Sequence, residues 1–191
     1  HYWQDLNLKE GSRVLVPLCG KTKDMLWLRE QGYQVIGVEL SPLAVEAFFA
    51  ENHLQPQIRR SGDFTISEVE GLQLWCGDFF ALPPEEVGKI DGVYDRAALV
   101  ALPETMRGRY VEKMAELLKP AAKLLLVSFD YAQQEMAGPP FSVVMSEIDR
   151  LYNTWCEKEL LLDMDVLQQQ PHLKSRGLNR LQELVYRLTV K

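Results

Sequence analysis

A doubly wound α/β fold, with a mostly parallel sheet covered by helices on both faces, is what this 191-residue sequence predicts. Three observations point there. Short buried-strand runs alternate with stretches of helical spacing through the first half of the chain. Helix-capping residues stand at the junctions between them. Glycine and carboxylate residues stand at the strand ends, where open α/β sheets gather their ligands.

The elements follow in order. Residues 13–17 form a short apolar strand. A glycine-containing loop then leads to a helix over 24–31, with apolar residues at helical spacing and Gly32 as its C-terminal stop. Residues 34–39 are the second strand. Ser41-Pro42 starts the next helix, because a serine oxygen can cap it and proline is pre-set at its first position. That helix runs through Val45, Phe48 and Phe49 to about Asn52. Residues 64–66 and 72–76 read as a hairpin ending in a strand. Residues 91–95 are a further main strand. Residues 103–118 are a helix closed by Lys119-Pro120, since the residue before proline is pushed out of the helical region. Residues 123–129 are a strongly apolar, central strand. After a loop over 131–140, Ser142 is expected to cap a helix through Leu151. Residues 155–166 and 183–190 are two last strands, Leu184, Tyr186, Leu188 and Val190 sharing a face. Neither repeats nor low-complexity segments interrupt the chain, so residues 1–191 are expected to form one domain.

Composition narrows the function. Hydrophobic residues make up 47% and charged residues 25%, the balance of a globular chain. The net charge of −6 argues against a nucleic-acid binder, because phosphate contacts need a basic face. A small-molecule enzyme fits better. The longest apolar runs, such as 124–127, are strand-length, so no membrane span is expected. Cys19, Cys76 and Cys156 form no CxxC pair, and only His1, His53 and His172 could add imidazole. That pattern predicts reduced thiols in a cytoplasmic protein, with neither a disulfide framework nor a metal. The first methionine is Met25 and no signal-peptide pattern opens the chain. From this the natural start is expected upstream, with an N-terminal segment missing here.

The loops after the strands carry the chemistry. Gly20-Lys21-Thr22 looks like the end of a phosphate loop, but that motif needs a glycine where Leu15 stands inside the strand. The dinucleotide fingerprint fails as well, since Gly20 is the loop's single glycine. Glu39, however, follows Gly20 by 19 residues, near the separation at which a carboxylate meets ribose hydroxyls. Asp78, in Cys76-Gly77-Asp78-Phe79-Phe80, either accepts from an exocyclic adenine amine or is an ordinary turn residue. Asp95-Arg96 lies in an apolar stretch and needs a partner, because a buried unpaired guanidinium is costly. Spacing leaves two options: a structural pair between the two, or Arg96 aimed into the crevice. No histidine stands in a persuasive general-base position, and Cys19 and Cys76 read as packing residues.

Together these loops resemble the class I methyltransferases that use S-adenosylmethionine, and specifically the bacterial branch of the thiopurine S-methyltransferase family. The resemblance rests on residues 16–21 (VPLCGK), 35–41, 76–80, 94–102 and 138–141, in family order and spacing. It implies a Rossmann-like, seven-stranded sheet whose last strands form an antiparallel edge. It implies S-adenosylmethionine as cofactor, S-adenosylhomocysteine as product, and transfer to the sulfur of a thiopurine or similar heterocyclic thiol. Leu18 and Gly20 then meet the cofactor through the first loop, Glu39 takes the ribose hydroxyls, and Asp78 and Phe79 border the adenine. Arg96 lies by the methionine moiety and the acceptor as the catalytic residue. Pro140 lines the acceptor side, with Arg176 standing in for a second substrate arginine and His172 near the same place. An N-terminal aromatic segment covers the cofactor in the family; Tyr2 and Trp3 match its tail. The resemblance further implies a monomer without nucleic-acid or membrane partners. Two alternatives stand beside it: selenium, tellurium or another small thiol as acceptor, and a non-catalytic nucleotide-binding domain.

Overall fold

The computed structural model describes residues 2–191. A short 3-10 turn, Tyr2–Leu6, precedes β1 (Arg13–Val16), α1 (Asp24–Glu30), β2 (Gln34–Glu39), α2 (Pro42–Glu51), β3 (Gln57–Ser61), β4 (Phe64–Val69) and β5 (Leu72–Cys76). Then come α3 (Pro84–Val87), β6 (Ile90–Arg96), α4 (Glu104–Leu117), β7 (Leu118–Asp130), α5 (Met145–Tyr152), β8 (Cys156–Asp165), α6 (Pro171–Lys174) and β9 (Gln182–Val190). The strands form one sheet in the order β3-β4-β5-β2-β1-β6-β7-β9-β8. The five central strands, β5 to β7, run parallel. Antiparallel pairs complete both edges.

The expected architecture is present, with nine strands rather than seven. Seven of them, β5 to β8 in sheet order, match the seven-stranded sheet the resemblance implies; β4, read from the sequence as the first arm of the hairpin with β5, and the unread β3 extend the edge. β3 left no apolar signal because four of its five residues are exposed. Its ladder with β4 holds it, helped by Arg59, which lies 3.8 Å from Glu68 and over the Trp75 ring.

Ser41 caps α2 as read, its Oγ accepting from Ala44 N–H at 3.3 Å. Ser142 does not cap α5. That helix starts after Val144 without a side-chain cap, and the Ser142 hydroxyl accepts from Tyr131 N–H instead. β7 also begins earlier than expected, because Leu118 pairs with Ile90 across a register shift.

One apolar layer covers each face of the sheet. Tyr110, Val111 and Met114 of α4 and Ile148 and Leu151 of α5 close one face. Met25 and Leu28 of α1, Val45 and Phe48 of α2, and Trp3 close the other. Each fully buried Leu or Phe contributes about 1.5–3 kcal/mol. Gly37 of β2 is needed for the close approach of α1: a Cβ there would meet Met25 Sδ at 2.7 Å and Cys19 Sγ at 2.9 Å. No helix among the described residues is long and apolar enough to cross a membrane.

Candidate active site

Three strand-end loops meet at the carboxyl edge of the parallel strands. The loop after β1 turns at Leu18 and Gly20, both left-handed, with φ of 46° and 52°. For leucine that conformation costs roughly 1–2 kcal/mol, strain of a kind concentrated at functional turns. Cys19 N–H donates to Val38 O and Gly77 N–H to Glu39 O, both at 2.9 Å, tying the loops after β1 and β5 to β2. The Glu39 carboxylate completes the junction. Its Oε2 accepts from Gly20 N–H and its Oε1 from Ser41 N–H, each at 2.8 Å. Because a carboxylate offers about four acceptor positions, both oxygens retain capacity for a ligand.

On β6, Asp95 and Arg96 lie on opposite faces of the sheet, as strand alternation requires, and they do not pair. Asp95 is fully buried, accepting from Tyr110 O–H at 2.7 Å and from Leu99 N–H at 3.1 Å. It thereby fixes the turn that follows the strand. Arg96 donates to Asp24 at the start of α1, at 2.8 Å. Burial works against its charge, but the Asp24 carboxylate outweighs burial and keeps the guanidinium protonated.

Burial pushes the Asp95 carboxyl up to about 6, against the pull of the Tyr110 hydroxyl and the Leu99 and Ala98 amides. The folded state therefore holds this proton more tightly than the unfolded chain, whose carboxyl titrates near 3.8. The stabilisation is complete below that value and is lost as pH rises through about 6. The shift corresponds to about 3 kcal/mol. Urea unfolding of wild type and Asp95→Asn between pH 4 and 7 is expected to show wild type losing that much relative to the variant. A constant difference would contradict the buried, raised carboxyl.

Arg96 opens into a cleft of about 560 Å³ whose apolar walls include Leu18, Val100, Val127, Phe129 and Pro140, with Asp24, Tyr94, His172 and Glu183 as polar neighbours. Beyond Leu18 lies a second cavity of about 370 Å³, walled by Val38, Leu40, Asp78, Phe79 and Phe80. Asp78 accepts from Phe80 N–H at 2.9 Å. Phe79 is nearly buried, its ring tilted against Tyr110 at 5.1 Å. A third cavity of about 340 Å³ shares Asp24, Tyr94, Arg96 and Glu183 with the first and adds Tyr2, Trp3 and Trp27.

The wall carrying Pro140 is held from several sides. Phe141 N–H donates to Val100 O at 2.6 Å and Val143 N–H to Phe129 O at 2.7 Å. Tyr131 O–H donates to Pro140 O at 2.6 Å. Arg176 donates to Pro139 O at 2.9 Å.

A family model described as thiopurine S-methyltransferase matches residues 1–191. The chain is 47% identical over 190 residues to a thiopurine S-methyltransferase of Nitrosospira multiformis, covering all of this chain and 86% of that one. It is 49% identical over 187 residues to the protein of that name from Bordetella petrii, covering 98% and 85%. The chain belongs to the thiopurine S-methyltransferase family. Among solved structures, an S-adenosylmethionine-dependent methyltransferase of Methanosarcina mazei superposes with a TM-score of 0.73 at 17% identity, covering 100% and 98%. A Burkholderia thailandensis 1,6-didemethyltoxoflavin-N1-methyltransferase, solved with S-adenosylhomocysteine, gives 0.62 at 16% identity, covering 95% and 72%. The chain is thus an S-adenosylmethionine-dependent methyltransferase with the class I fold.

Of the residues singled out from the thiopurine S-methyltransferase resemblance, Leu18, Gly20, Arg96 and Pro140 lie on the main cleft, and Leu18, Asp78 and Phe79 on the second cavity. Glu39 lines neither cavity itself; it is bonded to Gly20 of the main cleft, and its chain neighbours Val38 and Leu40 line the second cavity. Arg176 does not line the cleft. It donates to Pro139 O of the wall, and the residues of that segment on the cleft are Gln170, His172 and Leu173. Sequence reading set His172 aside as a base and missed Asp24, Tyr94 and Glu183. The thiols fit the packing role. Burial, aided by the Glu39 charge, pushes Cys19 and Cys76 up, and burial pushes Cys156 up to about 12. Such neutral thiols are poor nucleophiles. Among the described residues no group of His, Cys, Asp and Glu is arranged to hold a metal ion.

Proposed function

We propose that the chain transfers a methyl group from S-adenosylmethionine to the sulfur of a small heterocyclic thiol of the thiopurine class. The observation that carries this reading is the main cleft itself. It offers apolar walls to a flat ring and a protonated Arg96 guanidinium to a soft anion. The names of the curated relatives support the same acceptor. When bound, the cofactor supplies an electrophilic methyl group carried on a sulfonium.

In this reading the chain's own residues bind and align. Glu39, already oriented by two backbone amides, takes the ribose hydroxyls. Leu18 and Gly20 present backbone to the cofactor, and Asp78 and Phe79 bound the adenine in the second cavity. Tyr2, Trp3 and Trp27 line the cavity beside Arg96, and aromatic faces attract a sulfonium. Pro140 walls the acceptor, with Arg176 acting through the backbone it braces. In this reading residues 1–191 act as one domain and as a monomer. Positioning of two reactants can supply up to roughly 7–11 kcal/mol of the barrier, the larger share of what a weakly basic, polarisable sulfur needs.

Arg96 has a testable share. It stabilises the acceptor's anionic form, and a hydrogen bond to a charged group is worth about 1.5–3 kcal/mol. Arg96→Ala is therefore expected to lower thiopurine turnover at saturating cofactor by roughly ten- to a hundredfold. Unchanged turnover, measured by the methylated product, would remove Arg96 from the reaction.

A further inference from the structure

Glu183 is the first outward residue of the last strand, and its position is more specific than its sequence context suggests. Alternation along β9 puts it on the face of Val185, the face that packs against α1 and the N-terminal turn. Its register partner on β7 is Phe129, while Val185 pairs with Val127 and Val127 with Arg96. Glu183 thus lies one step beyond Arg96 toward the carboxyl end of the parallel strands, two strands away. It borders both the acceptor cleft and the adjoining cavity that contains Tyr2 and Trp3. Its carboxylate has no hydrogen-bond or ion-pair partner among the described residues, although its neighbours are well paired: Arg96 holds Asp24, and Arg187 holds Glu159.

A half-buried carboxylate with no protein partner, facing a reaction cleft, is free to meet a ligand group there. The chemistry of the proposed acceptors provides such a group. Heterocyclic thiones carry a ring N–H next to the C=S, and that proton must leave when the sulfur is alkylated.

We propose that Glu183 accepts the ring N–H proton of an acceptor bound as the neutral thione as its sulfur takes the methyl group, the anionic character that builds on the acceptor being what Arg96 stabilises. This inference rests on the sulfur-acceptor reading above and adds to it a residue with a role. The N–H bond breaks with its proton going to the Glu183 carboxylate. The freed electron pair forms the C=N bond, and the C=S pair moves onto sulfur. The new S–CH3 bond forms as the methyl–sulfonium bond breaks, its electron pair staying on the departing thioether. A neutral acceptor, a sulfonium and a carboxylate thus become a neutral thioether product, a neutral homocysteine thioether and a carboxylic acid. Burial raises the Glu183 carboxyl above its usual range while Arg96 pulls it down, which moves it toward the range useful for a base. The other titratable or charged groups facing this space are Asp24 from α1, Tyr94 and Arg96 from β6, Cys19 from the first loop, His172 from α6 and Tyr2 from the N-terminal turn. Tyr94 and Cys19 are pushed up by burial and stay protonated. Asp24 is engaged by Arg96.

The test compares two acceptors in the same protein: mercaptopurine, a thione with a ring N–H, and para-nitrothiophenol, which has none and ionises readily. Glu183→Gln is expected to lower the ratio of kcat/KM for mercaptopurine over that for nitrothiophenol by about a hundredfold near neutral pH. The deficit is expected to shrink as pH rises through the ionisation of mercaptopurine itself. An unchanged ratio with an active enzyme, the result expected if His172 were the base, would overturn this inference alone. Weakened S-adenosylhomocysteine binding by the variant in calorimetry would place the carboxylate on the cofactor and also overturn it. If the wild-type chain forms no S-methyl product from either acceptor, the sulfur reading fails first.

Discussion

Glu39→Ala is expected to weaken S-adenosylhomocysteine binding by about a hundredfold or more, since two hydrogen bonds to a carboxylate are each worth about 1.5–3 kcal/mol. The effect has two sources. One is the loss of the acceptors proposed for the ribose hydroxyls. The other is the loss of the clamp on Gly20 N–H and Ser41 N–H, which joins the first loop to the start of α2. Glu39→Gln separates them. It keeps one acceptor oxygen in place and is expected to bind the ligand with intermediate affinity. Calorimetric titration, with a thermal melt to show that each variant is folded, measures both. Wild-type affinity in Glu39→Ala would move the cofactor site away from the β1–β2 junction.

Arg107→Ala is expected to cost about 3 kcal/mol of stability, because the Glu147 carboxylate loses its buried partner and keeps only the exposed Arg150, at 3.5 Å. Arg107 is 3% exposed. Its Nε donates to Leu102 O at 2.9 Å, its Nη1 to Glu147 at 2.7 Å, and its guanidinium lies 5.9 Å from the Phe141 ring centre. One side chain thereby joins α4, α5, the turn after β6 and the wall that carries Pro140. For a chain of this length the loss corresponds to a fall in Tm of roughly 10 °C. The double variant Arg107→Met, Glu147→Met is expected to regain most of it, since apolar replacements of a buried pair are often tolerated. Denaturant melts of the two single variants and the double variant decide this. A loss under about 1 kcal/mol in Arg107→Ala would make the pair equivalent to a surface ion pair.

Much of the parallel core and the first loops could be read from the sequence because their signals are local. Ser41-Pro42 marks a helix start by its own side-chain chemistry, and the cap forms as read. Glu39 was found from its separation to Gly20, and the two are in contact. The errors fall where the deciding partner is distant or the pattern is missing. β3 is exposed and charged, so only its ladder to β4 reveals it. Ser142 looked like a helix cap, but Tyr131 N–H across the loop claims its hydroxyl. The Arg96–Asp24 pair spans 72 residues of sequence, which no spacing rule reaches. Arg176 was chosen by charge in the right segment, while the fold turns His172 toward the cleft. Glu183 had a weak signal: it is the one acidic residue on a strand face otherwise shared by Val185, Arg187 and Thr189.

The acceptor atom is the central claim, and one measurement addresses it directly. The chain is incubated with S-adenosylmethionine carrying an isotopic label in its methyl group, together with mercaptopurine, and the purified product is examined by carbon NMR. The account predicts the label on sulfur, with one S-adenosylhomocysteine formed for each acceptor methylated. A label on a ring nitrogen, or cofactor turnover that ignores the thiol, would contradict it.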